Sequence, residues 1–379
     1  MSVVSLLCNS SVATKGFSQK KQDCSVRSIN KLQLSTPQRT RSLFAAPRRV
    51  ASNGRVLSQV RSAMAETTHV TIPPPFHPTF DIEGSIRAAL EEDSGSFGDV
   101  TALSTIPEDT QAVATFLAKG DGVLAGLAVA DKVFEMVDPR ISVEWSAKDG
   151  DSVTYGTIFG KVRGPARGVL VAERVALNYM QRMGGIATAT AEMVKEAEGF
   201  PAKILETRKT VPGLRLFDKW AVLIGGGDNH RMGLYDMIMI KDNHIAAAGG
   251  LTQAVERAQA FLTEKNLSMG MEVETRTMDE VREVMEIVDR QAGKVDHPIT
   301  RVMLDNMTKM DPSAEAGIDV SMLEEAVAYI GGRVETEGSG NVNLRTVRRI
   351  ASTGVTYISV GALTHSVKAL DISFNIETQ

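Results

Sequence analysis

The stretch MEVETRTMDEVREVMEIVDR at 271–290 is followed, after a short polar loop, by ITRVMLDN at 299–306. Its hydrophobic period changes from two to 3.6 and back, which reads as strand, amphipathic helix, strand. The same unit repeats outward in both directions. Runs of strand type are AKILET (202–207), DMIMI (236–240), MEVET (271–275), RVMLD (301–305), RVETE (333–337) and TYISV (356–360). Helix patterns fall between them at LTQAVERAQAFL (251–262), MDEVREVMEIVD (278–289), SMLEEAVAYI (321–330) and LRTVRRIAS (344–352). Strand and helix in alternation imply a parallel sheet, wound open or closed into a barrel. The repeat is short and there is no G-x-G-x-x-G turn, so the expectation is an α/β barrel, an incomplete TIM-like βα barrel over 181–365.

Ahead of the barrel the pattern is different. Four prolines between Ile72 and Pro78 mark an extended entry segment. Asp81–Glu92 has helical spacing and SFGDVT (96–101) reads as a loop. Short alternating runs between Gln111 and Gly164, broken by Gly-Asp and Asp-Gly turns, read as small strands. Ala172–Glu198 is helical, with an interruption expected at Gly184-Gly185. An N-terminal α+β domain is therefore expected over 65–180, with the tail 366–379 packing against it.

The first 64 residues hold eleven Lys or Arg, twelve Ser and one acid, Asp23. Basic, serine-rich and acid-poor is the composition of an organelle transit peptide, expected here to be disordered, and the serine content favours plastid over mitochondrion. The remainder keeps 31 of the 42 basic and 45 of the 46 acidic side chains, a formal charge of −14. That balance opposes a nucleic-acid footprint. Both cysteines, Cys8 and Cys24, fall in the leading segment, so the body has no disulfide, thiol nucleophile or Cys metal ligand. No run of 18 apolar residues suggests a membrane span.

A βα barrel carries its active site at the C-terminal ends of its strands. Here those ends read Thr207-Arg208-Lys209, Lys241, Glu274, Asp305-Asn306, Gly338-Ser339-Gly340-Asn341 and Gly361-Ala362, with His230-Arg231 just before the second strand. Early strands supply cations, middle strands carboxylates, late strands glycine turns whose N–H groups can cradle a phosphate. Such a rim suits an anionic ligand, a phosphate and a divalent cation, and hard oxygen ligands suit Mg2+. Glu274 is chosen over Glu272 as nearer the strand end, one of the two being expected to point outward. For each residue a bland role stays open: solvated loop charge for Arg208 and Lys209, helix cap for Asp305, turn residue for Ser339.

Taken together, ETRKTVPGLR (206–215), GGGDNHRMGL (225–234), IKDNH (240–244), EVE (272–274), MLDN (303–306), GSGN (338–341) and VGALTHS (360–366) resemble the quinolinate phosphoribosyltransferase family, the type II phosphoribosyltransferases. FGDVT (97–101) and AERVALNYMQRMGGIATAT (172–190) match its N-terminal half, so the resemblance covers about residues 75–379. It implies transfer of phosphoribosyl from phosphoribosyl pyrophosphate to quinolinate, with release of pyrophosphate and CO2. It implies a homodimer in which Arg174 reaches the partner's site. Arg208, His230, Arg231 and Lys241 would hold quinolinate. Lys209, Glu274 and Asp305 would act on phosphoribosyl pyrophosphate and Mg2+, the two carboxylates being the metal ligands. Ser339, Gly340, Asn341, Gly361 and Ala362 would bind the 5′-phosphate, Thr207 and Val360 would also contact substrate, and His365 would approach the pyrophosphate. Gly338 departs from the small or β-branched residue usual there, and a more flexible loop is expected. The readings set against this one are a phosphoribosyltransferase for another pyridine acid such as nicotinate, a non-catalytic metabolite-binding paralogue, and a barrel lyase using Lys241 as a Schiff base.

Overall fold

The computed structural model describes residues 69–378. The segment read as a transit peptide, 1–64, lies outside the described residues, and so do Cys8 and Cys24. Among the described residues no helix is long and apolar enough to cross a membrane.

The chain opens with helices α1 (Ile82–Ser94) and α2 (Val100–Thr105), the second capped by Asp99, which accepts the N–H groups of Thr101 and Ala102 at 3.0 Å. Strands β1 (Gln111–Ala118), β3 (Ser142–Trp145) and β5 (Ile158–Pro165) follow, with helix α3 (Leu127–Val137) and a two-residue pair, β2 (Gly122–Val123) with β4 (Ser152–Val153). The burial of β1 alternates strictly, placing Ala112, Ala114, Phe116 and Ala118 inside. The last strand of the chain, β14 (Ile372–Thr378), pairs antiparallel with β1, giving a four-stranded sheet in the order β14-β1-β5-β3.

Helix α4 (Ala166–Glu196) then runs for 31 residues without a break. The interruption expected at Gly184-Gly185 is absent. These glycines serve close packing: a Cβ on Gly185 would lie 2.3 Å from the Lys368 carbonyl oxygen. The tail is stitched to the helix there, with Leu370 N–H donating to Gln181 O at 2.9 Å and Gln181 Nε2 donating to Ile372 O at 2.9 Å. The helix also passes through the expected domain edge at 180/181. Val169 in its first turn and Met183 near its middle are buried in the core of the antiparallel sheet, while Met193 near its end joins the core of the second half.

The second half alternates as read. Its parallel strands are β6 (Lys203–Leu205), β7 (Ile238–Ile240), β8 (Met271–Thr275), β9 (Arg301–Asp305), β12 (Glu335–Ser339) and β13 (Tyr357–Ser359), in the order β6-β13-β12-β9-β8-β7. Small strands β10 (Lys309–Met310) and β11 (Ile318–Asp319) form a pair to one side. The helices are α5 (Arg215–Ile224), α6 (Asp242–Ala248), α7 (Leu251–Lys265), α8 (Met278–Gln291), α9 (Ser321–Ile330), α10 (Val347–Ala351) and α11 (Ala362–His365). Helix α8 starts on a reciprocal cap: Thr277 Oγ1 accepts the Glu280 N–H at 3.2 Å, and Glu280 Oε2 accepts the Thr277 N–H at 3.3 Å. The first and last strands, β6 and β13, are neighbours, as barrel curvature requires. Between β6 and β7 the described residues show only a single bridge, Leu205 to Asp228. This is an incomplete TIM-like barrel.

Two strand readings need correction. The fifth strand spans Glu335–Ser339, two residues later than RVETE, so Gly338 is a buried strand residue and not part of a flexible loop. Its pairing through Ser339 with Asp305 of β9 fixes it. Glu272 does not point outward. Residues two apart in a strand share a face, so Glu272 and Glu274 both look inward, and Glu272 is fully buried. The apolar set Val273, Val302, Leu304 and Ile358 packs outward on the helices, which leaves charge lining the barrel axis.

Candidate active site

Every strand end read from the sequence, Gly338 excepted, opens onto one rim. A cleft of about 510 Å3 is lined by Thr207, Arg208, Lys209, His230, Arg231, Lys241, Glu274, Asp305 and Ser339. An adjoining cleft of about 350 Å3 shares Thr207, Lys209, Asp305 and Ser339 and adds Gly340, Asn341, Val360, Gly361, Ala362 and His365. Lys209, Asp305 and Ser339 stand where the two meet.

The larger cleft is short of negative charge on one side. Arg231 is pushed below the usual arginine value by its own burial and then by the neighbouring Arg208 cation. Nε of Arg208 is buried without a hydrogen-bond acceptor. Two guanidinium groups held near each other, one with an orphaned donor, call for an anion. Lys241 lies on the same wall and pairs with Glu274 across the ends of β7 and β8. Burial of the remaining polar groups is balanced from below. His230 Nε2 sits 3.2 Å from Glu272 Oε2 and 3.2 Å from Glu337 Oε2, and Arg301 Nη1 is 3.2 Å from the same Glu337 oxygen. Burial alone depresses a histidine, but the two carboxylates at Nε2 outweigh it and push His230 up to about 9. Burial, with the adjacent Glu337 charge, pushes Glu272 up to about 7. Arg231 N–H donates to His230 Nδ1 at 2.7 Å, which requires a lone pair there. The shared proton of this cluster therefore resides on the Nε2 side, among the ring and the two carboxylates.

The smaller cleft is made of backbone. Gly340 has φ +96° and a Cβ there would lie 2.2 Å from Asn306 Oδ1. Asn306 and Asn341 are themselves left-handed, with φ 55° and 57°. The turn is pinned by Asn306 N–H donating to Ser339 O at 2.8 Å and by Asn341 Nδ2 donating to Thr308 O at 3.3 Å. On the facing side Val360 N–H donates to Leu205 O at 2.8 Å, and Thr364 Oγ1 donates to Lys209 O at 2.9 Å. Such a glycine-rich, positively flanked turn fits a phosphate.

Two carboxylates at this rim, Glu274 and Asp305, could hold a divalent cation. Asp305 Oδ2 accepts from Asn306 Nδ2 at 2.8 Å, and one oxygen of Glu274 is taken by Lys241. Among the described residues, the one set of three His or carboxylate donors within 4.8 Å is His230, Glu272 and Glu337, which excludes both. Two hard oxygens that do not complete a cage fit Mg2+, which takes one or two carboxylates and draws the rest of its shell from phosphate and water.

Arg174 stands apart. It lies on α4, its side chain 56% exposed, with Glu173 Oε1 at 3.9 Å as its ion-pair partner, and it lines neither cleft. The sequence reading placed Asn306 at the rim without a role and missed Ser359, Met239, Met303 and Glu337 as cleft residues. Period two along RVMLD and ETEGS, counted inward from Asp305 and Ser339, would have found Met303 and Glu337.

The chain resembles known proteins over most of its length. The model of the quinolinate phosphoribosyl transferase C-terminal domain matches residues 186–375, and that of the N-terminal domain matches residues 99–184. The chain is 55% identical over 336 residues to a tobacco protein named quinolinate phosphoribosyltransferase [decarboxylating] 2a, mitochondrial, covering 89% of this chain and 92% of that one. It is 58% identical over 308 residues to an Arabidopsis thaliana protein named nicotinate-nucleotide pyrophosphorylase [carboxylating], chloroplastic, covering 81% and 86%. The solved structure of the nicotinate-nucleotide pyrophosphorylase from Francisella tularensis superposes with TM-score 0.68 at 34% identity, covering 78% of this chain and 96% of that one.

Proposed function

The chain belongs to the quinolinate phosphoribosyltransferase family, and from that premise we propose how its residues divide the work. The enzyme transfers phosphoribosyl from phosphoribosyl pyrophosphate to quinolinate with decarboxylation, giving nicotinate mononucleotide, pyrophosphate and CO2 on the de novo route to NAD. The observation that carries the division is the pairing of Arg208 and Arg231, with an orphaned Nε donor, in one cleft that adjoins a second built on a glycine turn.

Quinolinate carries two adjacent carboxylates, and drying them without cations is costly. Arg208, Arg231 and Lys241, with His230 beside them, take that half. Lys209, Glu274 and Asp305 face the phosphoribosyl pyrophosphate half, and Ser339, Gly340, Asn341, Gly361 and Ala362 hold its 5′-phosphate. Glu274 and Asp305 would hold Mg2+, which would supply charge neutralisation at the pyrophosphate leaving group. The pyridine nitrogen attacks the anomeric carbon as the bond to pyrophosphate breaks, and Lys209 stabilises the departing charge. When the neighbouring carboxylate departs as CO2, its bonding electron pair stays on the ring carbon, stabilised by the adjacent cationic nitrogen, and that carbon takes a proton from water. No general base or covalent nucleophile is required, because the residues position two anions and follow the charge.

The assembly belongs to the same proposal. Phe97, Val100 and Leu103 expose apolar surface at 80%, 61% and 52%, and Arg174 is exposed and lines neither cleft of its own chain. A second copy covering that face would place Arg174 in the partner's site, as in a homodimer. Residues 1–64 act as a transit segment, and we assign them to the plastid on composition. Relatives are named both chloroplastic and mitochondrial. Fusion of residues 1–64 to a fluorescent protein decides: plastid fluorescence supports the assignment and mitochondrial fluorescence overturns it.

The activity is tested with the chain lacking residues 1–64, phosphoribosyl pyrophosphate and Mg2+. Mononucleotide with stoichiometric CO2 from quinolinate, and none from nicotinate, is the expected result. Product from nicotinate without CO2 would make this a salvage-type enzyme, and product from neither in a folded protein would make it a binding protein.

A further inference from the structure

Beneath Arg231 lies a buried ion pair that the mechanism does not use. Glu206, which follows β6, and Lys219 of α5 are both fully buried and bonded to each other. Neither lines either cleft. Their free bonding capacity converges on one residue. Glu206 Oε1 accepts the His230 N–H at 3.1 Å, and Lys219 Nζ donates to the His230 carbonyl at 2.9 Å. The side chain of Asn229, turned so that its nitrogen donates, bridges Lys219 O and Glu206 Oε2 at 2.9 Å each. His230 is thus gripped through both backbone groups, and both its ring nitrogens have partners inside the protein.

A buried pair is a poor source of stability, because desolvation offsets its attraction. Here each ion spends a second bond on the backbone of the segment 228–231, which among the described residues has a single backbone bridge to the sheet, Leu205–Asp228. Without a strand to fix it, this segment depends on side chains for its conformation.

We propose that Glu206 and Lys219 are positioning residues for quinolinate: they hold the backbone of His230 so that Arg231, the next residue, meets the substrate's carboxylate already oriented. The inference rests on the assignment of Arg231 to quinolinate made above. The grip acts on one substrate. The phosphate turn at Ser339–Asn341 is tied to Asn306 and Thr308 and makes no contact with the pair.

The test is the double variant Glu206→Gln/Lys219→Met, which removes both buried charges together and keeps volume, compared with Arg231→Ala. Expected for the double variant is a rise of about tenfold or more in KM for quinolinate, with KM for phosphoribosyl pyrophosphate within about twofold of wild type. An unchanged quinolinate KM, or an equal rise in both, overturns the inference. Arg231→Ala separates the two levels of the argument. If it leaves quinolinate KM unchanged, the site assignment fails and the inference with it. If it raises that KM while the double variant does not, the inference alone fails. Should the double variant not fold, hydrogen exchange in the wild-type enzyme decides. Amides at 228–231 that are protected without ligand and unchanged by quinolinate support pre-positioning, whereas protection that develops only with quinolinate overturns it.

Discussion

Lys241 and Glu274 form an ion pair across the C-terminal ends of neighbouring parallel strands, β7 and β8. Lys241 belongs to the quinolinate half of the proposed site and Glu274 to the phosphoribosyl pyrophosphate half. The pair therefore links the two subsites. Removing Lys241 takes a cation from quinolinate and also leaves Glu274, whose side chain is 9% exposed, without its partner. Lys241→Met should raise KM for quinolinate about tenfold, and Glu274→Gln should raise KM for phosphoribosyl pyrophosphate about as much. In a double-mutant cycle on kcat/KM the two should couple by about 1 kcal/mol. Strict additivity would show that the pair is incidental to binding.

Gly340 tests the phosphate cradle separately. Its φ of +96° is strained for any residue with a Cβ, and that atom would be 2.2 Å from Asn306 Oδ1. Asn306 cannot easily retreat, because its N–H is bonded to Ser339 O. Gly340→Ala should cost about 1–3 kcal/mol of stability. It should raise KM for phosphoribosyl pyrophosphate while leaving that for quinolinate within about twofold. A matched rise in both constants would mean that the turn serves the whole barrel mouth and not the phosphate.

What the sequence made legible was what is local and periodic. MEVET, RVMLD and SMLEEAVAYI fall on β8, β9 and α9 residue for residue, because each alternates at one period and ends on a charge or a glycine. The rim was legible for the same reason, since barrel strands deliver their last residues to one place. Glu272 and Glu337 were hidden by the opposite circumstance. They face a barrel axis filled with charge where the usual barrel is filled with Val, Ile and Leu, and their partners His230 and Arg301 come from distant strands and loops. Glu206 and Lys219, 13 residues apart, meet only because the chain turns back between the end of β6 and α5. Gly184-Gly185 read as a helix break because local propensity carries no record of the tail that packs there 180 residues later.

Asp149 gives a prediction about pH. It is buried, accepts the Leu127 N–H at 3.1 Å through Oδ1, and has no partner for Oδ2. Burial pushes its carboxyl up to about 7 from an ordinary 3.8. Between those values the folded chain keeps a proton that the unfolded chain has released, so stability falls as pH rises through the window and stays low above it. Asp149→Asn retains the Oδ1 acceptor and cannot ionise. It should be more stable than wild type at pH 8, by on the order of 1–3 kcal/mol, and the advantage should shrink towards pH 4. Melting curves of both proteins across that range check this; a gap independent of pH would show that Asp149 is not the titrating group.

Arg174 makes the dimer testable without a second structure. Its side chain is exposed and outside its own cleft. If it completes the partner's site, an Arg174→Ala chain and a Lys209→Ala chain are each inactive alone, yet a hybrid dimer has one cleft with both defects and one with neither. Mixing the two after dissociation should restore up to about a quarter of wild-type activity, the statistical yield of intact sites at random pairing. Hybrid dimers that form and remain inactive would place Arg174 outside the site.

Gly185 offers a case in which helix propensity and packing give opposite signs. Alanine is favoured over glycine inside a helix by about 1 kcal/mol, and Gly185 lies in the middle of α4. Its Cβ, however, would meet Lys368 O at 2.3 Å and Ala369 Cα at 2.9 Å, both backbone atoms. The tail must then move, and it is the tail that leads into β14 and closes the antiparallel sheet against β1. Overpacking of this kind costs about 1–3 kcal/mol or more, so Gly185→Ala should destabilise despite its propensity gain. Gly184→Ala is the internal comparison. Its Cβ would sit 3.1 Å from Leu370 Cδ2 and 3.2 Å from Val123 O, so most of the strain can be taken up by a side chain that rotates. The expected order of melting temperature is wild type, then Gly184→Ala, then Gly185→Ala, with the last also the most readily cleaved by protease near residue 368. A Gly185→Ala protein as stable as wild type would mean that the tail does not bear on the helix as closely as these distances require.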